Sequence, residues 1–150
     1  MKQQRGFTLM ELVIVMAVLM VVVGVILVSV NGNSNDYRVL SNAAVTMQAD
    51  IRYAQRRAIM EGRRIGVHFD VLYNRYHIID RHSTVLRTVY LPDGVNLLAV
   101  NYDNQRLMYL PRGTASQAGT IALRKGRYHQ EITTTVSGGQ VRIHDIIVIN

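Results

Sequence analysis

The side chains that could do chemistry are ten carboxylates and five imidazoles; there is no cysteine. Without Cys there is no thiol nucleophile, no thiolate metal site and no disulfide staple, so the core must hold by packing alone. Among His68, His77, His82, His129 and His144, only His77 and His82, with Asp80 between them, lie close together. Strand alternation would put two of these three on one side of a sheet. A metal site needs converging ligands, usually within a tight motif, and none is present, so exposed strand histidines are the simpler reading. No Ser sits in a nucleophile elbow, and no glycine loop has the spacing that cradles phosphate. The remaining carboxylates are scattered. These residues predict no enzyme, no cofactor and no metal.

One carboxylate stands out by its place. Glu11 lies near the start of an apolar run over residues 7–30, which is otherwise broken only by Thr8, Gly24 and Ser29. From Leu12 to Val30 there is no charge, and at ~1.5 Å per helical residue that stretch reaches nearly 30 Å, the thickness of a bilayer core. A secretory signal has a shorter apolar core and a small-residue cleavage site, whereas residues 28–32 read Val-Ser-Val-Asn-Gly. A lipoprotein anchor is excluded because it needs Cys. A plain signal anchor fits the length and gives no reason for Glu11. A carboxylate at the edge of such a segment costs about 1–3 kcal/mol and normally has a partner. Cleavage after Gly6 would create one: the α-ammonium of Phe7, able to pair with Glu11 of a neighbouring subunit. Lys2 and Arg5 hold the N-terminus in the cytoplasm, which places the rest of the chain outside.

The stretch Arg5-Gly6-Phe7-Thr8-Leu9-Met10-Glu11 followed by an apolar helix resembles the leader signal of type IV pilins and type II secretion pseudopilins. The resemblance covers about a fifth of the chain. It implies that residues 1–6 are a leader removed by a prepilin peptidase, that the Phe7 amine is then methylated, and that Glu11 sets register in filament assembly. It also implies partners: other minor and major pilins or pseudopilins and an inner-membrane assembly platform, with the filament as final location.

The elements that must present these residues follow from the pattern. Asn31-Gly32-Asn33-Ser34-Asn35 is a polar, helix-poor stretch, either a loop or a softened turn. Over residues 36–62 a helical pattern resumes, with Leu40, Ala44, Met47, Ile51, Ala54 and Ala58 forming one apolar stripe. Gln48, Arg52, Gln55 and Arg56 lie off it, and Gly62 is a natural stop. No Pro precedes Pro92, so a near-continuous helix of about 80 Å is permitted over residues 7–61. The stripe fits packing on a sheet of the same chain better than a coiled coil, because its three Ala suit close approach. Beyond Gly62 the period changes. Short strands are predicted over residues 64–69, 75–79, 85–91, 95–100, 106–110, 119–123, 131–136 and 140–146, with turn residues between them. The predicted class is α+β: a long N-terminal helix packed on a C-terminal antiparallel β domain (residues 63–150) in two small sheets, with residues 36–150 one globular unit.

The second half sharpens the resemblance. Leu110-Pro111-Arg112-Gly113, then Gly119-Thr120-Ile121-Ala122-Leu123, then residues 131–136 and Gly138-Gly139-Gln140-Val141-Arg142-Ile143 are similar to the GspH/FimT type of minor pilin. This implies a minor subunit of a type II secretion pseudopilus or type IV pilus, in contact with its neighbours and with an exported protein. The chain carries 15 Arg and two Lys for a net charge of +7, which suits an acidic partner such as nucleic acid, anionic lipid or a wall polymer, or simply a soluble surface. Minor pilins of DNA-uptake machines that resemble this one often carry Gly-Arg-x-Arg near the C-terminus. Here the matching residues are Gly139-Gln140-Val141-Arg142, with Gln in place of the first Arg. Arg124, Lys125, Arg127 and Tyr128 form a second basic turn that could hold phosphates of double-stranded DNA and stack a base. A solvated charged turn is the competing reading of those residues.

Overall fold

The protein's structure, a computed structural model, describes residues 9–149, apart from the side chains of residues 25–34. The leader and the cleavage pair Gly6 and Phe7 lie outside the described residues. The one α-helix among them, α1, spans Leu9–Glu61 and passes through residues 31–35 without a break in its hydrogen-bonding pattern. The chain divides into two compact units, Met1–Asn35 and Asp36–Asn150.

In the first unit, Leu12, Val13, Ile14, Val15, Met16, Val18 and Leu19 are all exposed. Consecutive positions on a helix point in every direction, so this segment is apolar on all sides. Among the described residues no helix is long and apolar enough to cross a membrane; the apolar run of the sequence continues past the described side chains at both ends.

The second unit has its own core. The stripe of α1 (Leu40, Ala44, Met47, Ile51, Ala54 and Ala58) is buried, as its spacing predicted, and Ala43 beside it is buried too. Gly62 ends the helix at φ 61°, the left-handed conformation a C-terminal glycine adopts most cheaply. Nine strands follow among the described residues. One antiparallel sheet has the order β3-β2-β1-β5 and the other β4-β6-β7-β8, with β9 also pairing with β7. The first comprises β1 (Ile65–Asp70), β2 (Arg75–Asp80), β3 (Val85–Tyr90) and β5 (Arg106–Tyr109). The second comprises β4 (Asn96–Val100), β6 (Gly119–Lys125), β7 (Tyr128–Thr134), β8 (Val141–Ile143) and β9 (Ile147–Val148). Alternate residues from both sheets, such as Ile65, Val67 and Phe69 in β1 and Ile121 and Leu123 in β6, join the helix stripe in one cluster.

Two sequence boundaries shift. The strand predicted to begin at Glu131 begins at Tyr128, because a two-residue turn pairs Lys125 with Tyr128 directly. The strand predicted over residues 140–146 divides into β8 and β9, which pair with different parts of β7.

Candidate functional site

Glu11 lies in the first turn of α1, where a negative charge is favoured by the helix dipole. It is exposed and stands beside the apolar residues of the first unit, so the described part of that segment pairs one carboxylate with an all-round apolar surface.

The β6–β7 hairpin presents the basic turn. Its connection is Gly126-Arg127, and Gly126 holds φ 56°, a value a two-residue hairpin asks of its first central residue. All four residues singled out there make contacts within the fold, Lys125 and Tyr128 with residues beyond the hairpin. Lys125 donates to the Asp93 carbonyl at 2.7 Å and pairs with Asp36 at 3.5 Å. Tyr128 is half-buried and meets Tyr37 edge-on, with ring centroids 5.9 Å apart. Arg124 Nε donates to the Gly126 carbonyl, and the Arg127 guanidinium lies over the Tyr128 ring. Arg124 and Arg127 are exposed at the tip.

Arg142 is not part of that cluster. Its partner on β7 is Thr133, five residues or about 17 Å of strand from Tyr128. It lines a different concavity, of about 470 Å³, together with Arg52, Arg56 and Gln140. The fold thus divides the candidate DNA-binding residues between two places on the second sheet.

Sequence reasoning placed Gln48, Arg52 and Gln55 only as off-stripe residues. In the structure they pin the helix to the loops. Gln48 and Arg52 both donate to the Val141 carbonyl, at 2.9 and 3.3 Å, and Gln55 donates to the carbonyls of Gly113 and Gly138. Their spacing of four and three residues on one flank of the stripe was the available signal. On the other flank, buried Asp50 accepts from Tyr76 Oη at 2.7 Å and is paired with Arg87. Burial and the neighbouring Asp50 carboxylate push the Tyr76 phenol far above its ordinary range, so it remains a donor.

His77 and His82 do not converge with Asp80 on a common point. His77 Nδ1 meets Thr88 Oγ1 at 2.9 Å and its ring stacks on that of His68. Asp80 instead closes the β2–β3 turn, accepting from the backbone N–H of His82 and Thr84. Among the described residues no group of three or more His, Cys, Asp or Glu could hold a metal ion.

A family model described as type II transport protein GspH matches residues 43–140. The chain belongs to the GspH family. A second model, the prokaryotic N-terminal methylation motif, matches residues 1–27. A search of curated proteins returns no match. Among solved structures, the minor pseudopilin EpsH of the Vibrio cholerae type 2 secretion system is similar, at TM-score 0.59 and 16% identity over 70% of this chain and 95% of that one. The Pseudomonas aeruginosa type IV minor pilin FimU is similar too, at TM-score 0.59 and 15% identity over 71% and 88%. At such identities the likeness is one of fold, and it agrees with the helix-and-two-sheet arrangement described above. With its methylation motif, this member of the GspH family is a minor pseudopilin or pilin. The family's role is structural, and its members are anchored in a membrane and assembled into filaments.

Proposed function

We propose that this chain is a non-catalytic filament subunit whose leader is cut after Gly6 by a prepilin peptidase, whose Phe7 is then N-methylated, and whose Glu11 pairs across subunits. Before assembly the apolar segment of residues 7–30 holds it in the inner membrane as a single pass, with the N-terminus cytoplasmic and the C-terminal unit outside. An assembly platform in that membrane then moves it into a secretion pseudopilus or a pilus, among other minor and major subunits. One observation supports this reading above the rest: the first unit exposes apolar side chains on every face and a single carboxylate in its first turn. A helix of that kind is stable only when lipid or other helices surround it. In the apolar surroundings of a filament core, the Glu11 carboxylate and the Phe7 ammonium would each lose water, so each makes the other's presence necessary.

The test separates the two roles. Glu11→Val is expected to leave leader removal intact and to abolish incorporation into filaments, read by immunoblot of sheared filaments. Normal incorporation of Glu11→Val would sink the pairing argument. A duplex-DNA partner draws less support, because Lys125 and Tyr128 are engaged within the fold and Arg142 lies elsewhere.

A further inference from the structure

A concentration of positive charge lies apart from the candidate DNA-binding residues. Where α1 ends, Arg63 and Arg64 meet Arg81 of the β2–β3 turn and Arg106 of β5 around a concavity of about 480 Å³. Arg63 is occupied by Glu61 and, at 3.6 Å, by Asp80; Glu61 is also shared with Arg57. Arg106 donates to Ser83 Oγ at 2.9 Å, a neutral partner. Arg64 and Arg81 are exposed and make no ion pair among the described residues. Four guanidiniums therefore line the concavity with one carboxylate, Asp80, and the neighbouring Glu61 carboxylate is shared between Arg57 and Arg63. Like charges gathered in one concavity repel, and the repulsion is relieved by an incoming anion.

We propose that this pocket docks a carboxylate-bearing peptide segment of a neighbouring protein in the filament; the neighbour's identity as a filament protein rests on the function proposed above. Guanidinium forks match a carboxylate bidentately, which makes arginine rather than lysine the suitable lining. Two features favour a peptide over the phosphates of a nucleic acid. The first is an apolar floor of Ile79, Met108 and Pro111, which can take aliphatic side chains between acidic ones. Gly66 lets Met108 approach closely, since a Cβ at Gly66 would strike the Leu107 carbonyl and the Met108 sulfur. The second is the Asp80 carboxylate in the wall. Burial opposes its ionisation, but the N–H groups of Thr84 and His82 outweigh burial and hold the carboxyl below the usual carboxylate range. A fixed negative charge repels a polyphosphate backbone and tolerates a peptide that brings N–H groups as well as carboxylates.

The test uses the full chain in detergent micelles and fluorescence anisotropy with three labelled probes: a short peptide alternating Glu and Val, the same peptide with Gln for Glu, and a short DNA duplex. The Glu peptide is expected to bind, and both the Gln substitution and the double variant Arg64→Gln/Arg81→Gln are expected to weaken binding by about tenfold or more. Because Arg64 and Arg81 are exposed and unpaired, the double variant is expected to keep the parent's thermal midpoint. Arg106→Lys, which retains charge without the fork, is expected to give an intermediate loss. The proposal is overturned by no binding of the Glu peptide, by equal binding of the Gln peptide, or by binding unchanged in the double variant. It is overturned equally by a preference for duplex DNA that the double variant abolishes, which would make this a phosphate site. Peptide binding that fails in a chain whose leader is removed and which enters filaments condemns the pocket alone. An uncut leader condemns the filament reading, and the same titration still reports on the carboxylate site.

Discussion

The two halves of α1 have the same backbone and opposite surfaces. Over residues 9–23 large apolar side chains are exposed at every position but Glu11 and Ala17, with Leu12 57% exposed. Over residues 36–61 one apolar stripe is buried, with Met47 and Ile51 at 0%, while Val45, Ile59 and Met60 stay exposed off it. The second half finds its partner in the sheets of its own chain. The first half is apolar on all sides over its described side chains, the pattern of a segment that lies among lipid or other helices. One helix can therefore serve two assemblies, a domain core and a filament core, by changing its apolar pattern from all-round to one-sided.

The comparison can be broken by placing a charge in the first half. Val15→Asp is expected to abolish filament incorporation, since burying an unpaired carboxylate among apolar helices is prohibitive. The same variant is expected to leave urea unfolding of the second unit unchanged, as followed by tyrosine fluorescence. A shift in that unfolding would show that the halves are not independent in their roles. Met47→Ala tests the second half: a buried Met reduced to Ala is expected to cost about 2–5 kcal/mol of unfolding free energy, measured by the same titration. Tyr76→Phe is smaller. It strands an acceptor on buried Asp50 while leaving the Arg87 pair in place, for an expected loss of about 1–3 kcal/mol.

The smallest effect is a pH dependence. His68 is pushed below its ordinary value, first by burial and then by Arg106. A group whose folded value is depressed supports the fold when deprotonated, so this support is full above about 6.5 and is lost as pH falls. Asp80, also depressed, adds a second loss below about 4. The thermal midpoint is therefore expected to be level near neutrality, to decline gently from about pH 6.5 and to steepen near pH 4. Asp80→Asn is expected to reduce the steep part, to which Asp70 and Glu61, also depressed by their arginine partners, contribute as well, and a midpoint that rises on acidification would contradict these assignments.

What the sequence made legible is what periodicity encodes. Every residue of the predicted stripe, from Leu40 to Ala58, is buried, and all eight predicted strands have counterparts. The start of β7 was missed because its first buried inward position is Gln130, a polar residue that interrupts the alternation by which a strand is recognised. The break between β8 and β9 was hidden because Val141-Arg142-Ile143-His144 keeps the alternation of apolar and polar residues past the end of β8. Sites were legible only where they are local. Glu11 declares itself against its neighbours in sequence, whereas Arg63, Arg64, Arg81 and Arg106 come from three separate stretches and meet only once the first sheet has formed. The basic hairpin shows the reverse case: a local cluster of charge that the fold partly satisfies, through Asp36 and the Asp93 carbonyl, before any ligand arrives.

The central claim is that the N-terminal segment is processed to enter a filament. Its most direct test is the intact mass of the chain after co-expression with a prepilin peptidase. The expected product lacks residues 1–6 and carries one added methyl group, localised to Phe7 by fragmentation. A full-length mass, or a new N-terminus beyond residue 28 as a secretory signal would leave, would contradict the account.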